Sequence, residues 1–198
     1  MTVRIGEVKA RLQAACDNEL PAFITQYEGD ERAGVRKCVE AARKRMESLE
    51  REKLRTEKLW EYERGYSGYS HICGIDEAGR GPLAGPVVAG AVILPKDCDL
   101  LYINDSKQLS EKKREELYRA ILEKALCWGV GYASPQRIDE INILQATYEA
   151  MREAISKLHP QPDLLLNDAV TIPQVSIRQI PIIKGDAKSI SIGAASII

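Results

Sequence analysis

Apolar residues follow two different spacings along this chain, and the change between them divides it into two parts. Up to about residue 65 the chain is rich in charge, favours helix and has few strand signals. From about residue 71, short apolar runs alternate with amphipathic stretches, a pattern typical of alternating strands and helices. The sequence therefore predicts a helical extension at 1–65, a glycine- and serine-containing linker at 66–70, and an α/β domain at 71–198.

One stretch of the extension has the apolar spacing of a heptad seam, at Val35, Val39, Ala42, Met46 and Leu49. The seam is shorter than the roughly three to four heptads that define a coiled coil. Two interpretations remain open. The stretch is either a short coiled coil or partner-binding helix, or a long amphipathic helix that lies on its own domain or on nothing.

Strands are predicted in the second part wherever a short apolar run lies between turn residues. The predicted strands are 71–77, 87–94, 126–133, 164–166 and 180–183. Trp128 of the third strand is interpreted as a core residue, and the tyrosines near residues 66–70 as linker residues.

Helices are predicted in the second part at three places. One begins at the cap residue Ser110 and runs to about residue 125, and another follows the apolar face from Ile143 to Leu158 and stops before Pro160. The small and apolar residues at 187–198 predict the start of a buried helix.

Composition excludes several classes of protein. The 198 residues carry a net charge of −1, so no overall basic field indicates a nucleic-acid partner. The five cysteines are scattered without a CxxC pair, which argues against a zinc site or a disulfide framework and favours reduced thiols in the cytoplasm. The first residues do not resemble a signal peptide, and no apolar run is long enough to span a membrane.

Three acids lie at predicted strand ends: Asp76 and Glu77 after the first strand, and Asp168 after the fourth. Ligand sites of open α/β sheets gather at such ends, and converging carboxylates favour Mg²⁺ or Mn²⁺. Neighbouring strand residues point to opposite faces, so Asp76 and Glu77 share a site only if the strand distorts there. The alternative is that all three are ordinary turn acids.

Loops beside these acids carry candidate contacts to phosphate. Gly79, Arg80 and Gly81 offer free backbone amides and one guanidinium, although a tight connection between two strands explains them equally well. Lys107 and Lys184 each lie in a loop beside a predicted element. Each either holds a backbone phosphate or is an ordinary solvated lysine.

Four motifs in this order resemble the type 2 ribonucleases H, specifically bacterial ribonuclease HII: Gly74 to Pro86, Asp105 to Ser110, Leu164 to Ala169, and Lys184 to Ser189. Gln108 stands where this family usually has lysine. Arg80 favours ribonuclease HII over ribonuclease HIII, which has a different residue between the two glycines.

The resemblance implies a ribonuclease H-like α/β fold, with a mixed five-stranded sheet flanked by helices and preceded here by the helical extension. It implies two-metal hydrolysis of the RNA strand of RNA–DNA hybrids, and cutting on the 5′ side of ribonucleotides embedded in duplex DNA. A monomer that does not bind a membrane is expected.

The resemblance also assigns residues. Asp76, Glu77 and Asp168 are expected to be the catalytic ligands of Mn²⁺ or Mg²⁺. The expected substrate contacts are Gly79, Arg80 and Gly81 at the 2′-hydroxyl and the adjoining phosphate, with Ser106, Lys107 and Lys184 near the backbone.

Two departures from the family are expected. A fourth catalytic aspartate and a ribose-sensing tyrosine would fall beyond Ile198, so the chain reads as cut short. Two rival functions follow: a catalytically impaired remnant that still binds hybrids, or an interaction module whose working part is the helical extension.

Overall fold

The computed structural model describes residues 3–81, 85–96 and 98–198. Contacts divide the chain into two compact units, Met1–Arg55 and Thr56–Ile198. This division falls earlier than the predicted boundary at 65, and residues 56–65 therefore group with the second unit. Within the described residues, no helix is both long and apolar enough to cross a membrane.

The first unit is helical and has its own small core. It contains α1 (Ile5–Ala14), α2 (Leu20–Tyr27) and most of α3 (Ala33–Leu59). The seam residues Val35, Val39 and Ala42 of α3 are buried with Val8 of α1 and Phe23 of α2. The heptad spacing therefore belongs to an amphipathic helix that packs on its own unit, the second of the two interpretations.

The second unit begins with the end of α3 and the short helix α4 (Glu61–Gly65), and its centre is a five-stranded sheet. The strands are β1 (Ile72–Ala78), β2 (Val87–Ile93), β3 (Cys127–Ala133), β4 (Leu164–Asp168) and β5 (Arg178–Ile182). Their order is β3-β2-β1-β4-β5, antiparallel among β1, β2 and β3 and parallel from β1 through β4 to β5. The predicted mixed sheet is confirmed.

Helices cover both faces of this sheet. They are α5 (Glu111–Lys124), α6 (Pro135–Ile141), α7 (Ile143–Ser156) and α8 (Ile190–Ala195). The core under α7 lies on one face, whereas residues of α5 and α8 share a core on the other. Ser110 caps α5 as predicted, accepting a hydrogen bond from the backbone of Lys113, while α6 has no counterpart in the sequence prediction.

Strand β3 forms one edge of the sheet, and the interpretation of Trp128 as a core residue is wrong. Trp128 is 43% exposed and Tyr132 is 53% exposed, because α7 covers the alternate positions of the strand. Side chains of α7 and of Lys157, the residue that follows it, satisfy free backbone groups of this edge. The Tyr132 amide donates to the Glu153 carboxylate at 3.0 Å, and the Lys157 ammonium donates to the Val130 carbonyl at 2.7 Å.

The residues that lead into the sheet are part of its core. Leu59 and Trp60 are buried in the cluster beneath α5 and α8. Tyr66 and Tyr69, interpreted from sequence as linker residues, pack against the apolar cluster formed by β1, β4 and β5. The segment 66–70 is therefore anchored by its aromatic side chains.

Candidate active site

A pocket of about 390 Å³ opens where β1 and β4 end. It is lined by the three predicted acids, the loop 79–81, Ser106 and Lys107, together with Ala78, Asp105, Asp186 and Ser196. Most of the predicted site residues therefore meet in one place. Lys184 is not among the lining residues; it is exposed and immediately precedes the turn at 185–187.

Asp76 and Glu77 reach this pocket without the strand distortion that the sequence predicts. Strand β1 keeps a regular antiparallel register with β2 through Asp76, Glu77 and Ala78. Its parallel pairing with β4 ends at Ile75 and Asn167, three positions before the pairing with β2 ends at Ala78. Because the pocket lies at the end of the sheet, carboxylates on opposite faces of the strand both border it.

Asp168 accepts a hydrogen bond from the backbone amide of the residue that precedes Asp186. Asp168 is the last residue of β4, and its carboxylate accepts a 2.7 Å hydrogen bond from the Gly185 amide. That contact holds the turn at 185–187, and with it Asp186, beside the strand end.

Asp186 is a functional candidate that the sequence interpretation left out of the assigned site. The resemblance placed a fourth aspartate beyond Ile198, but the pocket already contains a fourth carboxylate in Asp186. The signal was present, because Asp186 lies three residues after the end of the predicted strand 180–183, within the motif Lys184 to Ser189. A fifth carboxylate, Asp105, caps its own short turn by accepting from the Lys107 amide.

The acids of the pocket are partly buried and close enough to repel one another. Burial, together with the charges of Glu77, Asp168 and Asp186, raises the pKa of Asp76 from 3.8 to about 8, against a hydrogen bond from the Glu77 amide. Burial also raises the pKa of Glu77, with Arg80 opposing. The pKa of Asp186 rises for the same reason, with added repulsion from Asp168 and Asp105.

One buried carboxylate oxygen in this pocket is unsatisfied. Glu77 Oε1 pairs with the Arg80 guanidinium at 3.3 Å, but Glu77 Oε2 is buried and has no hydrogen-bond partner among the described residues. An orphaned buried oxygen is costly, and a bound cation would satisfy it. The donor set of carboxylates, without histidine or cysteine in the lining, fits a hard divalent cation.

The carboxylates are not yet gathered around a single point. Among residues 3–81, 85–96 and 98–198, no three histidine, cysteine or acidic side chains form a ready ligand cluster. Backbone amides engage one oxygen of each of Asp76, Asp168 and Asp186 instead. A bound cation would therefore meet carboxylates that already have backbone partners.

The glycine-rich loop adopts a conformation that its sequence explains. Gly79 has φ +91°, and a Cβ there would lie 2.1 Å from the Pro86 carbonyl oxygen. Both features require glycine. The loop thus places the half-exposed Arg80 at the mouth of the pocket, while residues 82–84 of the same motif lie outside the described residues.

The raised pKa of Asp76 predicts a pH effect on the cation-free protein. Between pH 3.8 and about 8 the folded chain keeps a proton that the unfolded chain has released. Folding stability is therefore expected to fall as pH rises through this window. Asp76→Asn removes this dependence, so in EDTA the melting temperature of the variant minus that of the parent should grow with pH and level off above about 8. A melting-temperature difference that does not change with pH would contradict the burial assigned to Asp76. The contributions of other titrating groups largely cancel, because they are present in both proteins.

Two family models match this chain, one in its N-terminal part and one over the sheet domain. The family model for Ribonuclease HII matches residues 73–198, and that for Ribonuclease HII N-terminal domain matches residues 4–67. Ribonuclease HII of Lachnoclostridium phytofermentans is 61% identical over 198 residues, which are 100% of this chain and 78% of that protein. Ribonuclease HII of Clostridioides difficile is 47% identical over 196 residues, covering 98% and 77% respectively.

A solved structure has the same sheet architecture. Ribonuclease H2 from Pyrococcus horikoshii superimposes with a TM-score of 0.57 at 28% sequence identity. The match covers 65% of this chain and 69% of that one. The similarity therefore extends from sequence to the fold that carries the pocket.

Proposed function

Because the chain belongs to the ribonuclease HII family of endonucleases, we propose that it hydrolyses the RNA strand of RNA–DNA hybrids and cuts on the 5′ side of single ribonucleotides embedded in duplex DNA. The four sequence motifs predicted this membership, and the family models confirm it. The observation that carries the finer proposal is the convergence of four acids and the loop 79–81 on one pocket.

The acidic side of the pocket is proposed to hold Mg²⁺ or Mn²⁺ through Asp76, Glu77, Asp168 and Asp186. When bound, two such cations would activate the attacking water and stabilise the charge on the leaving 3′ oxygen, giving a 5′-phosphate and a 3′-hydroxyl. Asp76 is central to this role because burial, and after it the neighbouring carboxylates, raise its pKa to about 8. Its proton leaves when a positive charge compensates the cluster.

The opposite side of the pocket is proposed to recognise the substrate. Arg80 and the amides of Gly79 and Gly81 border the acids, where they would contact the 2′-hydroxyl and the adjoining phosphate. Ser106 and Lys107 line the same pocket and would contact the backbone. Exposed Lys184 lies outside the lining, and we propose only a peripheral phosphate contact for it.

A catalytically impaired remnant is not favoured. That alternative rested on the expectation of a missing fourth acid, and Asp186 supplies a fourth carboxylate to the pocket. Binding of hybrid duplex without cleavage in any divalent cation would nevertheless support it.

The direct test compares three duplexes in Mg²⁺ and in Mn²⁺: an RNA–DNA hybrid, a DNA duplex with one ribonucleotide, and plain DNA. Cleavage is expected for the first two, with 5′-phosphate and 3′-hydroxyl ends that end-labelling identifies. Plain DNA, the control, should remain intact. Absence of cleavage in both cations, or cutting of plain DNA at a similar rate, would contradict the proposal.

Arg80→Ala is expected to slow cleavage at a single ribonucleotide by about 100-fold, the typical effect of removing one oriented donor. Binding to plain DNA should fall by a much smaller factor, because duplex affinity comes from many phosphate contacts. Cleavage rates and DNA affinity are compared in the same buffer. Arg80→Lys is the matched control, since it keeps the charge but loses the planar guanidinium, and it should recover DNA binding more than cleavage. Equal losses of cleavage and plain-DNA affinity in Arg80→Ala would argue against a recognition role.

A further inference from the structure

A buried acid lies behind the catalytic pocket, outside the residues assigned to it. Glu63 of α4 is only 7% exposed and is the single acidic or basic residue in the buried set of the described chain. Burial raises the pKa of its carboxyl group, against hydrogen bonds from Ser189 and Ser191. A carboxylate in such a place is costly unless its contacts compensate.

These contacts all go to the beginning of α8. Glu63 Oε1 accepts a 2.6 Å hydrogen bond from the Ser189 hydroxyl and a 3.1 Å hydrogen bond from the Ser191 amide. The Ser189 oxygen in turn accepts from the Ile192 amide at 3.2 Å. Glu63 and Ser189 together therefore satisfy amides in the first turn of α8 that have no partner within the helix.

The capped end of α8 is directly connected to the pocket. Ser189 follows Asp186 by one short turn, and the Ser189 amide donates to the Gly185 carbonyl at 2.8 Å. Gly185 also donates to the Asp168 carboxylate, and the far end of α8 brings Ser196 to the pocket lining. Glu63 therefore binds the segment that directly follows the turn of Asp186, and this segment helps to set the position of Asp186.

We propose that Glu63 is a positioning residue of the catalytic pocket: by capping α8 from α4, it fixes the turn that holds Asp186 beside Asp168. This inference rests on the proposed cation-binding role of the pocket. The inference gives α4, which precedes the sheet in the chain, a part in catalysis, because the capping residue Glu63 belongs to α4.

The test measures Mn²⁺ binding without substrate, by the loss of the free-Mn²⁺ electron paramagnetic resonance signal, and Mn²⁺ dependence of cleavage. Glu63→Ala is expected to weaken Mn²⁺ binding by about 10-fold or more, as removal of a residue supporting a ligand typically does. Glu63→Gln should stay near the parent, because its amide oxygen can accept both hydrogen bonds. Ile155→Ala is the control for general destabilisation, since Ile155 of α7 is buried on the opposite face of the sheet, and the Mn²⁺ affinity of this variant should equal that of the parent.

Equal loss of Mn²⁺ affinity in Glu63→Ala and Ile155→Ala would overturn the inference, as would a Glu63→Gln variant no better than alanine. If Glu63→Ala does not fold, Glu63→Asp replaces it. Its shorter side chain should weaken Mn²⁺ binding, and parental affinity would count against positioning. A parent chain that binds Mn²⁺ but cleaves no duplex would refute the proposed function while leaving this inference to be judged on Mn²⁺ binding alone.

Discussion

Asp76→Asn is expected to abolish hydrolysis while largely sparing binding of an RNA–DNA hybrid. The change removes one negative charge from the group of carboxylates that lines the pocket, where cation binding needs it. A rate loss of roughly 1,000-fold or more follows, because charge stabilisation by a bound cation is worth several kcal/mol. The fold should survive, since an asparagine oxygen can still accept the 2.8 Å hydrogen bond from the Glu77 amide.

Cleavage of a duplex with one ribonucleotide and equilibrium binding of a hybrid are the two measurements for this variant. Asp99→Asn is the matched control, because Asp99 is an exposed acid paired with Lys124 outside the pocket lining. It should cleave like the parent. Cation-dependent cleavage by Asp76→Asn near the parental rate would remove the basis for the assigned site.

Gly74→Ala is expected to cause a large loss of stability. Gly74 lies in β1 directly under α8, and a Cβ there would be 2.0 Å from the Ser191 carbonyl carbon and 2.3 Å from the Ile192 amide nitrogen. These are backbone atoms, so relief requires α8 to move away from the sheet. Overpacking of this kind should cost about 3 kcal/mol or more, lowering the melting temperature by about 10 °C.

Thermal melting checks this expectation, with Gly65→Ala as the matched control. A Cβ at Gly65 would meet no atom within 4 Å, so that variant should melt close to the parent. Cleavage should also fall in Gly74→Ala, since α8 follows the turn that carries Asp186. Similar melting temperatures for the two alanine variants would show that α8 does not pack on β1 as described.

Much of the fold was predictable because its strands are local apolar runs between turn residues. The run at Leu164 to Leu166 is buried on both sides, and an acid ends it, so sequence alone located both β4 and Asp168. Asp76 and Glu77 were placed near the end of β1 for the same reason. Their shared pocket required no distortion, because the end of a sheet is open to both faces.

Other residues gave too little local signal to establish their role. Glu63 lies among many charged residues of α3 and α4, and only its contact with Ser189, 126 positions later, distinguishes it. Asp186 lies in a run of turn residues, so its place in the pocket depends on the Gly185 contact. Trp128 belongs to an apolar run, but its exposure follows from the position of β3 at the edge of the sheet. The environment of each of these three residues depends on contacts between segments that are far apart in the sequence.

The two margins of the sheet have a consequence for how this protein behaves in crowded solution. Free strand edges can recruit strands from other molecules and start aggregation. Along β3, Glu153 and Lys157 already occupy backbone groups that an incoming strand would need. On the other margin, β5 contains Pro181, which has no amide hydrogen to offer. Both margins therefore discourage strand exchange between copies, so the exposed aromatic side chains of β3 can face water without the neighbouring backbone serving as a template for fibrils.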